Sequence, residues 1–94
     1  MKNLKEEIQS VVNIYQSGNL SKAQQLTEKL IDNNPNVAFL HNLLGLILTS
    51  QKKIDKAIKC YENGLKIDPK FAMIYNNLGL LFINHLSNSE KANG

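Results

Sequence analysis

The stretch Pro35-Asn36-Val37-Ala38-Phe39-Leu40-His41-Asn42-Leu43-Leu44-Gly45-Leu46 returns 34 residues later as Pro69-Lys70-Phe71-Ala72-Met73-Ile74-Tyr75-Asn76-Asn77-Leu78-Gly79-Leu80. Six pairs are identical: Pro35 with Pro69, Ala38 with Ala72, Asn42 with Asn76, Leu44 with Leu78, Gly45 with Gly79 and Leu46 with Leu80. A fixed period of this length marks a repeat architecture, in which each unit is one supersecondary element that cannot bury its apolar face alone. Stepping back by the same interval, Lys56, Ala57 and Glu62 meet Lys22, Ala23 and Glu28, while Ile54 meets Leu20 and Asp55 meets Ser21. The period therefore reaches the start of the chain and divides it into units of about 4–37, 38–71 and a shorter third unit, 72–94.

Each unit reads as two short helices. In the second, Phe39, Leu40, Leu43, Leu44, Ile47 and Leu48 recur at three- and four-residue spacing, and Ile54, Ala57, Ile58, Tyr61 and Leu65 do so again, the pattern of a helix with one apolar stripe. Ser21 and Asp55 stand at the start of the second helices, as caps or first-turn residues whose short polar side chains accept from unpaired N–H groups. Asp32-Asn33-Asn34-Pro35 and Ile67-Asp68-Pro69 end those helices, because proline lacks a donor and holds its predecessor extended. The spacing predicts helices over 3–16, 21–33, 37–50, 55–67 and 71–85.

These residues resemble the tetratricopeptide repeat, a 34-residue helix-turn-helix unit. With Ala38 as the first position, the family's usual residue types stand at Leu44, Gly45, Ala57, Tyr61 and Pro69, with Leu48 in place of a tyrosine and Gly64 in place of an alanine. The third unit matches at Ala72, Tyr75, Leu78, Gly79 and Phe82. The first keeps Gly18, Ala23 and Pro35 but has Ser10, Val11 and Thr27 where the family prefers leucine, glycine and an aromatic. The resemblance implies an all-α fold, a right-handed α-α superhelix of about two and a half repeats with five helices plus a partial sixth. Gly45, Gly79, Ala23 and Ala57 are then expected where two helices approach closely. Leu44, Leu48, Tyr61, Leu78 and Phe82 are expected to fill the volume between helices.

The resemblance also implies a concave surface lined by the first helix of each unit. In this register its inward positions are Lys5, Ile8, Gln9, Val12, Tyr15 and Gln16, then Phe39, Asn42, Leu43, Leu46, Thr49 and Ser50, then Met73, Asn76, Asn77, Leu80, Ile83 and Asn84. The lining is apolar and rich in amides, which donate to and accept from a peptide backbone while aliphatic and aromatic neighbours supply contact area. The expected ligand is a neutral peptide segment or another copy of the chain. Chaperone-binding members of the family hold a carboxylate with cationic and amide residues at positions that here are Ile8, Val12, Leu43, Met73 and Asn77. Four are apolar, so a carboxylate would lose its water without gaining a counter-charge, and that role is not expected.

In the third unit only Ser89-Glu90-Lys91-Ala92 echoes the start of a second helix, Asp55-Lys56-Ala57, displaced by one residue. The sequence thus reads as a fragment of a longer protein. Ile74, Leu78, Leu81 and Phe82 are expected to form an uncovered patch through which the chain self-associates.

Composition narrows the remaining classes. The 94 residues are 43% hydrophobic and 20% charged, with 11 basic against 8 acidic side chains, as in an ordinary folded domain. All the basic residues are lysine, and without the bidentate guanidinium, sequence-specific nucleic-acid reading is disfavoured. Lys52, Lys53, Lys56, Lys59 and Lys66 are interleaved with Asp55 and Glu62, a mixed, solvated face; weak anion binding there would show steep salt dependence. The apolar run Leu43–Leu48 is broken by Gly45, well short of the roughly 20 residues of a membrane span. The charged N-terminus has no secretory pattern, and one cysteine, Cys60, forms no intrachain disulfide; the expected location is cytoplasmic. No cofactor or metal is expected. His41, His85 and Cys60 have no second ligand at metal-site spacing, and no phosphate-loop or nucleophile motif occurs, so the chain reads as non-enzymatic. The alternative is the substrate-recognition arm of a larger bacterial glycosyltransferase or sulfotransferase, by analogy with architectures in which such repeats precede a catalytic domain.

Overall fold

The computed structural model describes residues 2–93, with side chains described for 2–84. Five helices follow one another: α1 Leu4–Gln16, α2 Leu20–Asn33, α3 Ala38–Ser50, α4 Ile54–Ile67 and α5 Ala72–Asn93. The starts of α1, α3 and α5, and those of α2 and α4, fall 34 residues apart, so the sequence period is the structural one.

The α1–α2 and α3–α4 turns are built alike. Gly18 and Lys52 both take left-handed backbone, at φ 93° and 67°. Asn19 N–H donates to the Ile14 carbonyl (3.3 Å) and Lys53 N–H to the Leu48 carbonyl (2.9 Å), closing the six-to-one ring that ends a helix on a left-handed residue. Asn19 then caps α2 by accepting from Lys22 N–H, as Asn3 caps α1 by accepting from Glu6 N–H. Ser21 and Asp55 lie in the first turns, while the cap positions themselves are Asn19 and Lys53. The proline turns are alike as well: His41 Nε2 pairs with the Pro35 carbonyl at 3.1 Å, and 34 residues on Tyr75 donates to the Pro69 carbonyl at 2.8 Å.

The core has two parts that share α3. Val11, Ala23, Leu30, Leu40, Leu43 and Ile47 form one cluster, and Leu44, Leu48, Ala57, Tyr61, Ile74 and Leu81 the other. A helix that is apolar nearly all round is buried on both sides, and α3 lies between α2 and α4 for this reason. Gly45 is required by close approach: a Cβ there would stand 2.5 Å from the Tyr61 ring. In the first unit those two positions hold Val11 and Thr27, both buried, so the larger residue has moved to the first helix and the smaller to the second. Thr27 satisfies its hydroxyl on the Ala23 carbonyl at 2.7 Å.

The third unit departs from expectation. α5 runs unbroken to Asn93, so Ser89–Ala92 continue it rather than opening a sixth helix. Leu86 stands where Gly18 and Lys52 turn left-handed, a conformation that costs an L-residue about 1–2 kcal/mol. That cost is offset at Lys52 by the docking of α4, and no helix of the described chain follows α5. Gly79, expected at a close approach, meets nothing within 4 Å. Ile74 and Leu81, expected to be uncovered, are 0% and 4% exposed, packed in the cluster between α5, α4 and α3.

Candidate functional site

The exposed face of α1 and the start of α3 form a groove of about 500 Å³ lined by Leu4, Lys5, Ile8, Gln9, Val12 and Phe39. Its geometry follows from helix periodicity: Leu4, Ile8 and Val12 share one side of α1 at four-residue steps, with Lys5 and Gln9 one residue on. Of the residues expected to bind, Lys5, Gln9, Val12 and Phe39 are brought together here. Leu4 was not among them, although its place four residues before Ile8 is a legible signal. Tyr15 is half-buried, with its hydroxyl 3.2 Å from Ser50 Oγ, tying α1 to the end of α3.

The middle of the expected surface is different. Asn42 and Leu43 are 1% and 3% exposed, because close packing of α3 turns them into the interior; Leu43 belongs to the first core cluster. Neither presents a side chain to a ligand. Asn77, half-buried, donates from Nδ2 to Asn42 Oδ1 at 2.8 Å, satisfying a buried acceptor and joining α3 to α5. Leu46 is half-buried and Asn76 exposed. At the far end Met73 and Leu80 are about half exposed, at 50% and 53%.

A second groove, of about 380 Å³, lies between α1 and α2. Lys2, Lys22, Lys29 and Glu7 surround Val11, Ile14, Leu26 and Leu30 in its lining. The α4 lysines Lys56, Lys59 and Lys66 are exposed with Asp55 and Glu62, as a solvated face requires.

The remaining reactive candidates have structural surroundings. His41 is bonded to the Pro35 carbonyl, and the side chain of His85 lies outside the described residues. Burial pushes the Cys60 thiol above its ordinary value, reinforced by the Glu28 carboxylate; a thiol so placed is less reactive. Among the described residues no three His, Cys, Asp or Glu side chains form a group able to hold a metal, and no helix is long and apolar enough to cross a membrane.

The family model for the TPR repeat matches residues 45–85, a span that runs from Gly45 through the α3–α4 turn and α4 into α5. The chain belongs to the tetratricopeptide repeat family. It is 36% identical over 66 residues to the human protein named N-alpha-acetyltransferase 16, NatA auxiliary subunit, which covers 70% of this chain and 8% of that protein. Against the mouse protein of the same name identity is 48% over 42 residues, 45% of this chain and 5% of that one. The chain thus spans less than a tenth of the length of these curated relatives. Within the family, the positions that hold a carboxylate in chaperone-binding repeats are here Ile8, Val12, the buried Leu43, Met73 and Asn77, which supply no cation.

Proposed function

We propose that the chain is a non-catalytic protein-interaction scaffold that holds a neutral peptide segment of a partner along the face of α1, α3 and α5. The groove of Leu4, Lys5, Ile8, Gln9, Val12 and Phe39 carries the reading. It offers aliphatic and aromatic contact area beside one amide and one ammonium, the mixture that recognises an extended backbone with apolar side chains. Met73, Asn76 and Leu80 extend the same chemistry at the other end. The word auxiliary in the relatives' names supports a partner-holding role, and supports it above that of an arm joined to a catalytic domain. Self-association through α5 belongs to the same reading.

The test is selection of peptides from a random library displayed on phage, followed by fluorescence polarisation with the recovered sequences. Phe39→Ser and Leu80→Ser are expected to weaken binding about tenfold, a change of about 1.4 kcal/mol, and Lys59→Ser on α4 to leave it unchanged. Binding indifferent to Phe39 and Leu80 would move the site off this face.

A further inference from the structure

The large apolar side chains that stand exposed among the described residues all belong to α5: Met73 at 50%, Tyr75 at 54%, Leu80 at 53%, Phe82 at 47% and Ile83 at 62%. Residues 72–84 carry no charge. Since Ile74 and Leu81 face the core, the opposite side of the helix is open. Along it Ala72, Tyr75, Gly79 and Phe82 recur at spacings of three and four and so form one stripe, in which small and aromatic residues alternate. The Tyr75 hydroxyl is already bonded to the Pro69 carbonyl, which leaves its ring to make apolar contact.

The molecule itself shows what such a stripe accepts. On α3 the positions equivalent to Tyr75 and Gly79 are His41 and Gly45. A Cβ added at Gly45 would meet the Tyr61 ring at 2.5 Å, and one added at Gly64 would stand 3.4 Å from His41 Cβ. Each helix of this antiparallel pair therefore sets a glycine against a ring-bearing residue of the other. α5 presents Tyr75 and Gly79 at those two positions, and the space over Gly79 is empty within 4 Å.

We infer that this face is filled by α5 of a second copy, laid antiparallel about a two-fold axis near residue 77. This rests on the self-association part of the reading above and assigns its geometry. In that register Ala72 faces Phe82 of the other copy and Tyr75 faces its Gly79, and the symmetry repeats both contacts. All four layers set a small residue against an aromatic one, as facing positions of a well-packed interface do. A surface that meets itself across a two-fold axis must be self-complementary. A parallel pair would instead set aromatic on aromatic and glycine on glycine. The absence of charge over 72–84 removes any like-charge repulsion. Half exposed, the five side chains offer roughly 400–500 Å² per copy if each buries about 150–250 Å² in full. That is the size at which apolar patches mark interaction sites but below the roughly 800 Å² per partner of a tight complex, so the association is weak.

Sedimentation equilibrium of the 94-residue chain at tens of micromolar is expected to show a monomer–dimer equilibrium. Phe82→Glu should weaken it about tenfold or more, and the pair Ala72→Lys with Phe82→Glu should recover most of that loss at low salt. Only the antiparallel register sets the new cation against the new anion, and high salt should erase the recovery. Gly79→Ala is the second variant: it strengthens the helix of the monomer, so a raised melting temperature together with a weakened dimer excludes misfolding as the cause. A clean monomer for the unmodified chain overturns both self-association and this geometry. A dimer that the paired charges fail to recover overturns the geometry alone.

Discussion

Gly45 and Gly79 are the same residue in the same place of the sequence period, yet substitution at the two has opposite consequences. At Gly45 the position of a Cβ is already taken by the Tyr61 ring. Gly45→Ala is therefore expected to destabilise by about 1–3 kcal/mol through overpacking. At Gly79 nothing lies within 4 Å, and Gly79→Ala should stabilise by up to about 1 kcal/mol through helix propensity; urea denaturation of the two variants, the second at concentrations where the chain is monomeric, reads both signs. Lys52 is a third case in which backbone decides. Its φ of 67° strains an L-residue, so Lys52→Gly should add about 0.5–1 kcal/mol despite glycine's larger unfolded-state entropy. A loss of stability in the same denaturation series would mean that the lysine side chain contributes more than its backbone costs.

At the scale of elements, the buried amide of Asn42 couples α3 to α5. Removing Asn77 leaves Asn42 Oδ1 without its donor in a side chain that is 1% exposed. Asn77→Leu is expected to cost about 1–3 kcal/mol, the penalty of an unsatisfied buried polar group, whereas Asn42→Leu with Asn77→Leu should be closer to neutral because both partners go together. A double-mutant cycle by thermal or urea denaturation measures the coupling; strictly additive effects would remove the hydrogen bond from the account. The sequence marked these two residues for a ligand because amides on first helices can face a groove. Packing turned one inward, and periodicity does not show this because Asn42 lies at the edge between the apolar stripe and the exposed one.

At the scale of the whole molecule, α3 belongs to both core clusters, whereas α1 and α5 each belong to one. Stability in such an array is a sum of neighbour contacts, so amide exchange is expected to be slowest in α3 and fastest in α5; uniform protection across the five helices would show a single cooperative core instead. Alkaline pH probes the second cluster. Burial raises Tyr61 above its ordinary value of 10.0 and, with Glu28, Cys60 above 9.0. Both groups are held neutral by the fold, so their contribution is complete below those ordinary values and is lost as pH rises through the higher folded-state values. The melting temperature should fall above pH of about 9–10, and less steeply in Tyr61→Phe. An identical fall in that variant would assign the loss to other groups.

The sequence by itself determined the helical hairpins, their 34-residue interval, both proline turns and the pairing of Gly45 with Tyr61, because each follows from local backbone limits or from a spacing that recurs. Only the tertiary structure decided which sides of α3 and α5 face inward, where α5 ends and which side chains remain open to a partner. Burial of Asn42, Leu43, Ile74 and Leu81, and exposure of Gly79, depend on which neighbouring helices are present to cover them. Residues one period apart are equivalent in the chain, but they become equivalent in space only when their neighbours are equivalent too.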